Sequence, residues 1–145
     1  LRHRQRRFDE AAEICYALLC EDLRGPAASV KPHLLLMLAE SKLESRDPAG
    51  AYHALDALYH TRLSLVEALQ RLALQTRYEL MIGAHDSALH QGKRKIELAE
   101  LMPLAQCGAM HAMLAYAAEQ SGQTKIAAWL WERTKLISPP ALLAQ

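Results

Sequence analysis

The stretch Asp47-Pro48-Ala49-Gly50-Ala51-Tyr52-His53-Ala54-Leu55 aligns without gaps with Gln123-Thr124-Lys125-Ile126-Ala127-Ala128-Trp129-Leu130-Trp131. Both align with Arg7-Phe8-Asp9-Glu10-Ala11-Ala12-Glu13-Ile14-Cys15. Each places a small residue (Ala11, Ala51, Ala127) four positions before a larger or softer apolar one (Cys15, Leu55, Trp131). A weaker copy centres on Ala88 and Gly92, so the small residues recur at intervals of 40, 37 and 39. Residues four apart share a helix face. A small side chain at a matched position lets a neighbouring helix approach closely, which stacked helical hairpins need at every unit. Recurrence near one fixed period reads as an array of such hairpins rather than a plain bundle.

Outward from these stretches, composition points the same way. The 145 residues include 26 Leu and 25 Ala but only 11 Val, Ile and Thr together, and Asn is absent. Leu and Ala are strong helix formers and β-branched residues favour strands, so the expectation is an all-α chain. The few breakers divide it into seven helices of ordinary length. Asp9 is expected to cap the first, ended by Gly25-Pro26. Pro32 opens the next, whose stripe runs through Leu35, Leu38, Ala39 and Lys42. Asp47-Pro48 is a capping side chain followed by a proline whose missing N–H costs nothing at a first helical position. Further helices are read over residues 64–82, with Val66, Leu69, Leu72, Ala73 and Thr76 inward, and from Asp86 to about Met102, with Asp86 as its cap. Pro103 opens another that Ser121-Gly122 ends, and the last closes at Ser138-Pro139-Pro140.

In this register the chain resembles a tetratricopeptide repeat array. The unit from Gly108 to Pro140 carries the likeness best. Leu114-Ala115 stands where the family has Leu-Gly, Gly122 in the interhelix turn, Ala127 at the small crossing residue, Trp131 at the aromatic and Pro139 at the closing proline. The unit from Pro32 to Leu63 matches through Leu35, Leu38-Ala39, Ala51, Leu55 and Leu58. The unit from Val66 to Met102 departs: about one extra helical turn precedes Ala88, and Gly92 stands where bulk is usual. The usual tyrosine is replaced by Lys42, Thr76 and Ala118.

The resemblance implies one right-handed α-solenoid domain over 1–145, about three and a half repeats: a half repeat at 1–30, then repeats at about 31–63, 64–102 and 103–140. Its repeat-packing residues would be Ala11, Leu38, Ala39, Ala51, Leu55, Ala88, Leu114, Ala115, Ala127 and Trp131. The family uses the first helix of each pair to line a ligand groove. That pattern projects onto His33, Leu36, Glu40, Leu43 and Glu44; onto Gln70, Leu74, Arg77 and Tyr78; and onto Ala112, Tyr116, Glu119 and Gln120. The subtype that clamps a chaperone's C-terminal carboxylate relies on paired asparagines, and this chain has none. Trp129 and Tyr116 have no core position in the pattern and are the aromatic binding candidates.

No catalytic or metal constellation is expected. His85-Asp86-Ser87 are consecutive, and adjacent residues cannot set nucleophile, base and orienter in line. His53 and His60 lie two turns apart on one helix, and Cys15 and Cys20 lack zinc-knuckle spacing. Three cysteines (Cys15, Cys20, Cys107) make no disulfide framework, which favours a reducing, cytoplasmic compartment. A net charge of +1 removes bulk attraction to polyanions. The basic clusters Arg2-His3-Arg4-Gln5-Arg6-Arg7 and Lys93-Arg94-Lys95 read as solvated faces, so nucleic acid is disfavoured. No apolar run reaches the roughly 18 residues of a membrane span. The chain opens at Leu1 without Met, as a piece of a longer protein would. The expectation is a non-catalytic, cofactor-free scaffold for a protein or peptide ligand. Self-association through exposed repeat ends is the alternative, and an RNA-binding helical repeat the third reading.

Overall fold

The structure is a computed structural model that describes residues 2–20 and 29–137, with side chains at 6–19 and 29–137. Gly25-Pro26, Ser138-Pro139-Pro140 and the side chains of Cys20 and of residues 2–5 lie outside the described residues. Among the described residues there is no strand, and eight α-helices carry the fold. They are α1 (Arg2–Cys20), α2 (Lys31–Glu44), α3 (Pro48–Tyr59), α4 (Leu65–Met81), α5 (His85–Leu89), α6 (Gly92–Ala99), α7 (Leu104–Gln120) and α8 (Thr124–Ile137). No helix among them is long and apolar enough to cross a membrane.

Local chemistry sets most of the boundaries. Asp47 accepts the Gly50 N–H at 3.0 Å, with Pro48 in the first turn of α3. Ser64 and Glu67 form a reciprocal capping box before α4: Ser64 Oγ accepts the Glu67 N–H at 3.3 Å and Glu67 Oε1 accepts the Ser64 N–H at 2.9 Å. The α2–α3 and α7–α8 turns close with the same bonds. Arg46 N–H donates to Leu43 O and Asp47 N–H to Lys42 O; Gly122 N–H donates to Glu119 O and Gln123 N–H to Ala118 O. The residue in the left-handed region is Arg46 (φ 57) in one turn and Gly122 (φ 77) in the other.

Three boundaries differ from the sequence reading. Helix α1 is continuous from Arg2, so Asp9 lies inside it and caps nothing. The helix expected from Asp86 to Met102 breaks at His90 (ψ 131) and Gln91 (φ 53), which raises the count from seven to eight. Asp86 sits in the first turn of α5, and the cap position is Ala84. The break is satisfied by Lys95, whose ammonium donates to the Ala88 carbonyl at 2.7 Å and the Ser87 carbonyl at 3.4 Å. Cations suit carbonyls freed at a helix end.

The chain forms two compact units, residues 1–78 and 79–145. In the first, α2 packs against both α1 and α3. Ala12 and Cys15 of α1 meet Leu34, Leu35, Leu36, Leu38 and Ala39 of α2 and Ala54, Leu55 and Leu58 of α3, with Leu74 and Tyr78 of α4 packed against this cluster. Val66 points outward at 66% exposure, because α4 buries Leu69 and Thr76 instead. In the second unit α7 is central, packed against α5, α6 and α8. The contacts Glu119–Trp131 and His111–Arg133 make α7 and α8 antiparallel.

Several pairs of positions 76 residues apart are buried in both units. Ala12 and Ala88, Leu35 and His111, Leu38 and Leu114, Ala39 and Ala115, Ala51 and Ala127, and Ala54 and Leu130 are all buried. This register needs Ala12 where the sequence reading used Ala11, which is only half-buried. One residue is about 100° of helix rotation, and packing on α2 selects Ala12, Cys15 and Leu19 as the inward stripe.

Candidate binding grooves

Among the described residues, each unit carries an open, apolar-floored groove over its central helix. In the second unit it encloses about 710 Å³. Leu114 of α7 forms the floor, Leu89, Gly92 and Ile96 one wall, and Ile126, Trp129 and Leu130 of α8 the other. In the first unit a groove of about 700 Å³ has Leu35 and Leu38 of α2 as floor, Ala12, Glu13 and Tyr16 of α1 on one side, and Gly50, His53 and Ala54 of α3 on the other. Six positions of the two linings correspond at the same 76-residue offset: Glu13 with Leu89, Tyr16 with Gly92, Leu38 with Leu114, Gly50 with Ile126, His53 with Trp129, Ala54 with Leu130.

The second groove has an organised wall. Arg133 stacks its guanidinium 5.0 Å from the Trp129 ring centroid, donates from Nη2 to Glu100 at 3.3 Å, and donates from Nε to His111 Nε2 at 3.5 Å. His111 is fully buried, and its Nδ1 lies 2.8 Å from the Cys107 carbonyl oxygen. A carbonyl only accepts, so Nδ1 carries the proton and Nε2 presents its lone pair to Arg133. One neutral tautomer satisfies both contacts. The Cys107 sulfur, 3.7 Å from the same Nδ1, therefore faces a donor rather than a base. Burial, with the Glu100 charge, pushes the Cys107 thiol up, the opposite of an activated nucleophile. A half-buried pair, Glu79 and Lys95 at 3.9 Å, is likewise structural: partial burial raises Glu79 and lowers Lys95. No group of three metal-ligating side chains occurs among the described residues.

The projected groove residues are distributed differently. His33, Glu40, Gln70 and Gln120 are exposed. Leu36 and Leu43 are buried at 5% and 1%, so neither can meet a ligand: α2 is flanked on both sides, and its apolar residues are consumed by those contacts. Arg77 is bound to Glu44 at 2.5 Å, and Tyr78 packs on the core beside Tyr52, ring centroids 6.2 Å apart. Ala112 is half-buried. Tyr116 is 44% exposed with its ring against His85. Glu119 accepts the indole N–H of Trp131.

Among the packing residues, Leu38, Ala39, Ala51, Leu55, Ala88, Leu114, Ala115 and Ala127 are buried. Trp131, expected in the core, is half-buried. Helix α8 turns Ala127, Leu130 and Thr134 onto α7, which leaves the indole at the edge where its N–H finds Glu119. The sequence signal for the second groove was available in Ile126 and Trp129, apolar residues three apart on the face opposite Ala127. The i, i+4 spacing of Trp129 and Arg133 also announces their contact. Compared with protein families, curated proteins and solved structures, the chain matches none.

Proposed function

We propose that the chain is a non-catalytic scaffold of tetratricopeptide-like hairpins, stacked as a right-handed α-solenoid, that binds a protein or peptide ligand. The observation that carries the reading is the groove that recurs 76 positions apart with six equivalent lining positions. The matching turn bonds at Arg46 and Gly122 support the same internal register. Open, apolar grooves of this size suit side chains of a docked segment better than a small polar substrate. Burial of Leu36 and Leu43 and the Glu44–Arg77 pair move the proposed ligand surface from the first helices to the grooves beside them.

Capture of partners by the wild type, by a Tyr16→Glu/His53→Glu variant and by an Ile126→Glu/Trp129→Glu variant tests this, with far-UV CD as the folding control. Proteins retained by the wild type should be lost by a groove variant and kept by Glu40→Lys and Gln120→Lys. The reverse pattern returns the ligand surface to the first helices. Insensitivity to all four removes the scaffold reading. Self-association is favoured as a second reading by Leu101, Leu104 and Leu136, exposed at 60%, 63% and 85%. A sedimentation mass of one chain at working concentration eliminates it.

A further inference from the structure

We propose that the groove of the second unit takes an acidic amphipathic helix of a protein partner, with its apolar stripe on Ile96, Ile126 and Trp129 and its flanking carboxylates on Lys93 and Lys125. This rests on the scaffold reading above and names the chemistry of its ligand.

Shape comes first. Helices α6 and α8, with Leu89 at the end of α5, form the walls and α7 the floor, the trough into which ridges of a further helix pack. The walls run from Gly92 to Glu100 and from Gln123 to Arg133, about 12 and 15 Å at 1.5 Å per residue. That is two to three helical turns, enough for anchors at i, i+4 and i+7.

The apolar lining is exposed yet held in place. Ile126 and Trp129 are 46% and 51% exposed, and the Arg133 stack, itself tied to Glu100 and His111, fixes the indole. A large aromatic locked in its rotamer loses little entropy when a partner covers it, and tryptophan dominates binding energy where it becomes buried.

Charge selects the partner. Glu100 is compensated by Arg133 at 3.3 Å and Glu97 faces Arg94 at 3.9 Å. Lys93 and Lys125 both line the groove, both are exposed, and neither has a side-chain partner among the described residues. Of the charges at the rim, these two ammonium groups are left without a counter-charge, and they complement carboxylates flanking an apolar stripe. The first unit's groove lacks this excess: its Lys42 is tied to Asp47 at 3.3 Å, and Glu13 stands on its rim.

The test uses three fluorescein-labelled synthetic peptides of about 18 residues, long enough for helix to form on binding. One has a Leu/Phe stripe flanked by Glu, one the same stripe flanked by Lys, and one the acidic composition scrambled. By fluorescence anisotropy the Glu-flanked helix should bind at least about tenfold more tightly than the other two. Lys93→Glu/Lys125→Glu should invert the preference between the first two. Trp129→Ala should weaken the Glu-flanked helix about tenfold while Arg62→Ala, exposed and outside both grooves, leaves it unchanged; CD confirms that each variant is folded. Equal binding of the Glu- and Lys-flanked helices overturns the inference and leaves the scaffold reading standing. Equal binding of the scrambled peptide overturns it as charge attraction alone. No binding of any peptide also overturns it, whereas the scaffold reading falls only if partner capture is insensitive to the groove variants.

Discussion

Arg46 and Gly122 occupy equivalent turns with the same closing hydrogen bonds, yet only one is a glycine. A side chain in the left-handed region costs about 1–2 kcal/mol from the clash of Cβ with the following carbonyl. Glycine returns about 0.4–1 kcal/mol of that through its greater freedom in the unfolded chain. Arg46 is exposed and has no side-chain partner among the described residues, so little else changes with it. Arg46→Gly should therefore stabilise the protein by about 0.5–1 kcal/mol. Gly122→Arg should cost about as much, since a Cβ built at Gly122 meets nothing within 4 Å and the penalty is the backbone's alone. In urea the two midpoints should move in opposite directions at unchanged m. In a thermal melt each should shift by about 2–4 °C per kcal/mol for a chain of this length. A loss of stability in Arg46→Gly, or a neutral Gly122→Arg, would refute the reasoning.

Leu130 is 1% exposed and Trp131 only half-buried, so Leu130→Ala should cost about 2–5 kcal/mol by urea unfolding and Trp131→Ala less; the opposite order would mean that α8 is rotated. Asp47 is held below the ordinary carboxyl range, first by the Gly50 N–H and then by Lys42. Its stabilising contribution is thus complete above the ordinary value near about 4 and lost as pH falls through the lower folded value. Asp47→Asn keeps the capping acceptor and should flatten the stability–pH curve below pH about 4; an unchanged curve would refute the assignment. At Gly50 an added Cβ would lie 2.7 Å from both Asp47 Oδ2 and Lys42 Cδ. Gly50→Ala should consequently miss the gain of about 1 kcal/mol that helix propensity offers, and a full gain in the urea midpoint would show the cap is not disturbed.

The candidate site was only partly legible beforehand. Trp129 stood out because it had no core position in the repeat pattern, and the structure places it on a groove wall. The projected residues on the first helices assumed that one face of those helices stays free. Leu36 and Leu43 show otherwise, since α2 has a neighbour on each side. The Glu44–Arg77 pair joins residues 33 positions apart, and no periodicity announces such a partner.

What the sequence by itself determined is what acts along the chain: a helical composition, the cap at Asp47, the turn at Gly122 and the small residues at Ala51 and Ala127. These signals depend on a few adjacent residues, and the backbone obeys them wherever the segment lies. Tertiary structure alone decided each helix's rotation about its own axis. It chose Ala12 over Ala11 and Leu130 over Trp131, because one residue turns a helix by about 100° and only contact with a neighbour fixes that angle. It also accommodated the break at His90 and Gln91, where Lys95 from the next helix supplies a donor to the Ala88 carbonyl and a second one to the Ser87 carbonyl, which already accepts the His90 N–H.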